Sequence, residues 1–144
     1  MARSVQVTFD CSDPARLSAF WAEALDYVLQ PPPEGFNSWE DWLREHDFPE
    51  DEWNNASAVV DPEGSGPRLY FQRVPESKTA KNRVHLDVNV GERGMPPDER
   101  MKAVDAHVLH LLQLGAKTLR PGDPKDREYW VVMQDPEGNE FCVQ

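Results

Sequence analysis

The sequence predicts an α+β fold of two paired βαβββ modules, forming a cupped mixed sheet with helices on its convex side. Three observations point there. Asp61-Pro62-Glu63-Gly64 returns as Asp135-Pro136-Glu137-Gly138, each after an apolar run (Ala58-Val59-Val60 and Val131-Val132-Met133). Upstream of each copy, a strand-like alternation starting at Val5 or Val84 leads into a helical pattern. The first copy is longer because it carries an insertion, so the chain reads as a duplicated unit. Two half-domains paired across an approximate twofold would leave a cleft between them, and small ligands bind in clefts. The expectation is one domain over residues 1–144, with module one at 1–76, its insertion at 34–55 and module two at 82–144.

Val5, Val7 and Phe9 alternate with Gln6, Thr8 and Asp10, the period of a strand with one apolar face. Asp13 is placed to cap a helix that has Pro14 at its first position. Leu17, Phe20, Trp21, Ala24, Leu25 and Val28 then follow helical spacing as one buried stripe. Pro31-Pro32-Pro33 ends it. In the insertion, Ser38 and Asp41 stand at capping-box spacing, Trp39, Trp42 and Leu43 share a helical face, and Pro49 closes the segment. Residues 56–60 and 68–74 form a hairpin around the first Asp-Pro-Glu-Gly, and 75–83 form a polar connector.

Module two repeats the plan. Val84, Leu86, Val88 and Val90 alternate with His85, Asp87 and Asn89. Pro96-Pro97-Asp98 opens a helix with the stripe Met101, Val104, Val108, Leu111 and Leu112, ended by Gly115. Residues 128–134 and 139–143 are the closing strands, and the second strand of each module is the weakest signal. Each helix must bury its stripe on a sheet, so the apolar strand faces pack beneath the helices. The opposite faces then carry Gln6, Thr8 and Asp10 with Arg68, Tyr70 and Gln72 in module one. In module two they carry His85, Asp87 and Asn89 with Glu140, Cys142 and Gln144. A register slip of one residue would invert both sets.

Composition excludes several classes of function. The net charge of −11 repels phosphate backbones, so nucleic acid is not an expected partner. No apolar window is long enough for a membrane span, and the N-terminus lacks the apolar run of a secretory signal, so a cytoplasmic protein is expected. Cys11 and Cys142 have no paired spacing, which fits a reducing compartment. There is no Gly-x-Ser-x-Gly, P-loop or dinucleotide fingerprint. The charge is concentrated in the insertion, where eight acids between Glu34 and Glu52 face Arg44 alone and stand beside Trp39, Trp42 and Trp53. Rings and carboxylates together suit a flat or cationic organic ligand. The plainer reading is an amphipathic cover whose tryptophans lie on the sheet.

The stretches at 5–21, 68–76, 82–88 and 135–141 resemble the vicinal oxygen chelate superfamily, which includes glyoxalase I, bleomycin-resistance proteins and extradiol dioxygenases. The chain is similar in particular to the glyoxalase-like domain proteins of bacteria. The resemblance covers nearly the whole chain except the insertion. It implies a divalent metal held by one residue from the first and one from the last strand of each module. Those positions fall on Gln6, on Gln72 or Tyr70, on His85 and on Cys142; Glu140, one pleat from Cys142, is a substitute donor. Two amides, an imidazole and a thiol offset little of a divalent cation's dehydration, which argues against a tight catalytic metal. Asp87, ~7 Å along the strand from His85, is expected to lie too far away to orient its ring.

The reading that results is a glyoxalase-like protein binding a small organic molecule in a cavity between the modules. The ligand-binding set is Gln6, Thr8, Tyr70, Gln72, His85, Asp87, Cys142, Trp39, Trp42 and Trp53. The alternative is a metal-dependent lyase, isomerase or dioxygenase centred on His85, with Gln6 and Glu140 as further ligands. A third is a vestigial cup serving partner contact. By analogy with relatives, a homodimer is expected.

Overall fold

The computed structural model describes all 144 residues, in two compact units, Met1–Ser77 and Lys78–Gln144. Unit one contains β1 (Val7–Cys11), α1 (Pro14–Leu25), β2 (Val28–Leu29), α2 (Trp39–Glu45), β3 (Ala56–Val60) and β4 (Leu69–Arg73), with a 3-10 turn at Glu50–Glu52. Unit two contains β5 (Asp87–Val88), α3 (Pro97–Gln113), β6 (Lys117–Arg120), β7 (Val131–Gln134) and β8 (Glu140–Val143). The sheets have matching orders, β1-β4-β3-β2 and β5-β8-β7-β6. In each, the first and last strands run parallel and the other pairs antiparallel. The fold is therefore mixed α+β, the βαβββ plan twice over, with α2 as the addition in the first copy. No helix is long and apolar enough to cross a membrane.

The expected strand phase holds in both units. On α1, Leu17, Phe20, Trp21 and Ala24 are buried, and beneath them lie Val59, Leu69 and Phe71. Phe9 bridges the two layers, with ring centroids 5.2 Å from Trp21 and 5.1 Å from Phe71. A fully buried Ser18 bonds the Ser57 hydroxyl at 2.7 Å, so the one polar group in this layer is satisfied. In unit two, Val104, Val108 and Leu111 of α3 are buried, as are Val88, Val131, Met133, Phe141 and Val143 of its sheet. Cys11 and Cys142 are buried free thiols.

The two Asp-Pro-Glu-Gly copies are one turn built twice. Gly64 and Gly138 take φ of 73° and 86°, and each N–H donates to the carbonyl of the Asp that opens its turn. The Asp61 carboxylate accepts from the amides of Glu63, Ser65 and Gly66 at 2.7–3.0 Å. These bonds, that to Glu63 first, hold its carboxyl below the usual range. Asp135 accepts from the amides of Glu137 and Asn139, both at 2.9 Å, and from the Asn139 side chain at 2.8 Å. Asp135 is also buried. Carboxylates caught by successive amides explain why Asp recurs, and positive φ explains why Gly does.

Four local expectations are corrected. Ladder pairing begins at Val7, not Val5, because β4 starts only at Leu69, after Pro67; Val5 is 73% exposed. Val84 is 82% exposed, since the first rung of β8 onto this segment is Cys142 N–H to Leu86 C=O at 3.0 Å. Val28 is not on the helical stripe: Asp26 adopts φ 54°, ends α1, and turns Val28 onto β3 opposite Val60. Leu112 is partly exposed, one position past the buried stripe that ends at Leu111.

The polar connector is also not simply solvated. Lys78 Nζ lies 3.1 Å from Glu140, whose other bond comes from the Asn82 amide at 2.9 Å. The Asn82 amide first, helped by Lys78, holds the Glu140 carboxyl down at about 2. This lashes the start of unit two to β8.

Two predictions follow from these anchors. Asp135→Ala removes three bonds to a buried carboxylate and is expected to cost about 2–3 kcal/mol in urea unfolding; Gly138→Ala, at positive φ, costs about 1–2 kcal/mol. Glu140 has a depressed carboxyl, so its contribution is complete above about 4.5, the ordinary value, and fades as pH falls towards about 2. Glu140→Gln is therefore less stable than wild type at pH 7, and the gap in melting temperature closes across that acid window. A gap that stays constant with pH would contradict the assignment.

Candidate functional site

The helix-free face of the first sheet is polar along its β1 edge. Thr8 lies opposite Tyr70, and Asp10 opposite Gln72. Arg68 donates to Gln6 Oε1 at 2.7 Å and to Gln30 Oε1 at 2.6 Å, and its guanidinium sits 5.1 Å from the centre of the Tyr70 ring. Gln72 donates to Asp10 at 2.7 Å, and Gln6 to Thr8 at 3.4 Å. Gln6, Thr8, Tyr70 and Gln72 thus share one face, and Arg68 organises its Gln6 end. The pattern of alternation had placed Arg68 there without giving it a role.

The insertion builds a second wall. A seven-residue helix is too short to persist alone, and α2 is fixed by identifiable contacts. Ser38 Oγ accepts from the Asp41 amide at 3.1 Å, and Glu40 and Asp41 sit in the first turn, where the helix dipole favours them. Trp39 Nε1 donates to Gln30 C=O at 2.7 Å. Trp42 stacks on His46 at 4.3 Å and on Phe48 at 5.7 Å. Trp53 Nε1 donates to Phe48 C=O at 2.9 Å. At the exit, Asn54 accepts from the Ala15 amide and donates to Asp13, both at 2.8 Å. The Asn54 bond is the main reason the Asp13 carboxyl is lowered. The insertion is clamped to the cap of α1.

Between the insertion and the sheet lies a cavity of about 680 Å³. Trp39, Trp42, Leu43, Phe48 and Trp53 line one side; Ala56, Ala58, Arg68 and Tyr70 line the other; Glu40, Glu50 and Glu52 also border it. No residue of α2 is fully buried. Its apolar face looks into space instead of resting on the sheet. Trp39, Trp42, Trp53 and Tyr70 of the expected binding set meet here, whereas Gln6, Thr8 and Gln72 lie on the same sheet outside the lining. Gln30 and Phe48 were missed. Phe48 belongs to the aromatic run before Pro49, a usable signal, but nothing local marks Gln30.

His85, Asp87 and Cys142 come together in unit two. Asp87 is the register partner of Cys142, and His85 Nε2 stands 3.4 Å from Asp87 Oδ1. Asp87 is therefore not out of reach of His85. Backbone spacing along a strand does not limit side chains that lean towards each other, and His85 lies just before β5 begins. Burial, then the charge and hydrogen bond of Asp87, push the Cys142 thiol up. One donor atom from each of the three residues falls within 4.8 Å of the others, a triad that could hold a metal ion.

The donor set implied by resemblance fits a hard divalent cation poorly. Gln6 Oε1 is taken by Arg68, which also brings a positive charge. Glu140 is held by Asn82 and Lys78 and does not join the triad. What remains is an imidazole, one carboxylate and a thiol, not the oxygen-rich shell that such ions prefer.

None of the curated proteins compared with the sequence matches it. Solved structures do match the fold. A glyoxalase/bleomycin resistance protein/dioxygenase family enzyme from Burkholderia phytofirmans is 16% identical with a TM-score of 0.63, over 96% of this chain and 94% of that one. The fosfomycin resistance protein FosX of Mesorhizobium loti is 11% identical with a TM-score of 0.65, over 100% and 91%. A FosX mutant of Listeria monocytogenes, solved with Mn(II) and a dihydroxypropylphosphonic acid, is 12% identical with a TM-score of 0.62, over 100% and 90%. At such identities the likeness concerns the fold. A family model, described as a glyoxalase-like domain, matches residues 6–144. With that match over nearly its whole length, and the βαβββ plan in both of its units, the chain belongs to the glyoxalase-like domain family of the vicinal oxygen chelate fold.

Proposed function

We propose that this protein binds a flat, largely apolar organic molecule of cationic character in the cavity of its first unit. The observation that carries the reading is the aromatic face of α2, which covers about 680 Å³ of space and packs against nothing that fills it. That volume lies within the ~300–1,000 Å³ typical of small-molecule sites. Trp39, Trp42, Trp53 and Tyr70 offer ring area for stacking and cation–π attraction. Glu40, Glu50 and Glu52 outnumber Arg68 along the lining, so the field inside favours a cation. The plainer reading of the insertion, tryptophans resting on the sheet, leaves this space unexplained.

Neighbouring structures named for resistance to bleomycin or fosfomycin support a small-molecule role in a general way. The donor chemistry supports binding without a tight catalytic metal in this cavity. The competing reading, a metal-dependent enzyme centred on His85 with Gln6 and Glu140, is weakened by the engagement of both helpers elsewhere.

Titration with acridinium and phenanthridinium dyes, read by tryptophan fluorescence, tests the proposal. Micromolar quenching is expected, weakening as salt is raised. Trp39→Ala is expected to lower affinity about tenfold, with the melting temperature confirming that the variant is folded. Quenching that survives in both Trp39→Ala and Trp42→Ala, or equal affinity for anionic dyes of the same shape, would reject the reading.

A further inference from the structure

We propose that His85, Asp87 and Cys142 form a zinc-selective site contained within the second unit, in place of the hard-cation site that the family resemblance implies. It uses none of the cavity residues, so it stands or falls independently of the ligand proposal. The starting point is convergence. Asp87 and Cys142 are paired across the parallel β5–β8 ladder, His85 lies on the same face, and their donor atoms lie within 4.8 Å of one another. His85 and Asp87 are already 3.4 Å apart. Ligands at tetrahedral zinc, with bonds of about 2.0–2.3 Å, stand about 3.5 Å from each other. The side chains of His85 and Asp87 are 43% and 46% exposed, which leaves room for the rotations needed to close the set.

The chemistry of the three donors selects the metal. One thiolate, one carboxylate and one neutral imidazole bring two negative charges to a doubly charged ion, and Cys142 releases its proton to solvent as the bond to sulfur forms. Thiolate and imidazole favour Zn(II), whereas Mn(II) prefers oxygen donors and binds mixed sites more weakly. Glu140, the carboxylate that would harden the set, stays with Lys78 and Asn82. Arg120, whose charge bears on the thiol, is itself paired with Asp126 at 2.7 Å. Three protein donors with two exposed side chains leave a fourth position for water, the open form of a zinc site.

Metal-stripped protein titrated with Zn(II) against a chromophoric chelator provides the test. One equivalent per chain is expected, with Mn(II) weaker by about 100-fold or more. Co(II) in place of zinc should give the near-ultraviolet sulfur-to-cobalt absorption band, absent in Cys142→Ser. Asp87→Asn, an exposed substitution that leaves the core intact, should weaken zinc by at least about tenfold, so the result does not depend on Cys142→Ser folding. No zinc bound at micromolar concentration overturns the proposal. So does a cobalt complex without the sulfur band, or a preference for Mn(II) that is lost in Glu140→Gln.

Discussion

The packing of each helix against one face of its own sheet is the constraint on which the rest depends. In the first unit, Trp21 and Phe20 of α1 must be covered, and only the face bearing Phe9, Phe71, Leu69 and Val59 can cover them. Burying aromatics of this size contributes about 1.5–3 kcal/mol each, so no other register competes. Because strand side chains alternate, that choice also decides the other face. Thr8, Tyr70 and Gln72 are left pointing away from α1, and in the second unit the same rule turns Asp87 and Cys142 away from α3. The chemistry-bearing residues are placed by the residues between them.

Repetition in this chain serves architecture and divergence serves chemistry. Asp61 and Asp135 open the same turn with the same arrangement of amides, and that turn returns the chain so that β4 and β8 can lie parallel to the first strand of their sheets. Around this shared frame the polar faces differ. The first has Arg68 gathering Gln6 and Gln30 beside an aromatic cavity. The second has His85, Asp87 and Cys142 in mutual reach. One sheet gained a roof of tryptophans, while the other retained a cluster of donors.

Charge satisfaction limits what residue type alone suggests. Gln6 and Glu140 both occupy positions where the wider family would have ligands, yet Arg68 and Lys78 engage them. A carboxylate held by an ammonium and a backbone amide has little to gain by leaving them, since each charge-assisted bond is stronger than a neutral one. His85, Asp87 and Cys142 keep polar atoms turned towards one another.

Read alone, the sequence determined the α+β class, the repeated βαβββ order, the strand phase, the caps Asp13 and Ser38, and the tryptophan face of the insertion. All of these rest on periods and short-range signals, which extend over a few residues and survive in a linear reading. The tertiary structure decided where the ladders begin, and hence why Val5 and Val84 stay exposed. It also decided that Lys78 holds Glu140, that Arg68 holds Gln6, and that His85 reaches Asp87. The first two bonds join residues sixty-two positions apart. Partners at that distance are chosen by register, and register is set only once the helices have settled on their sheets.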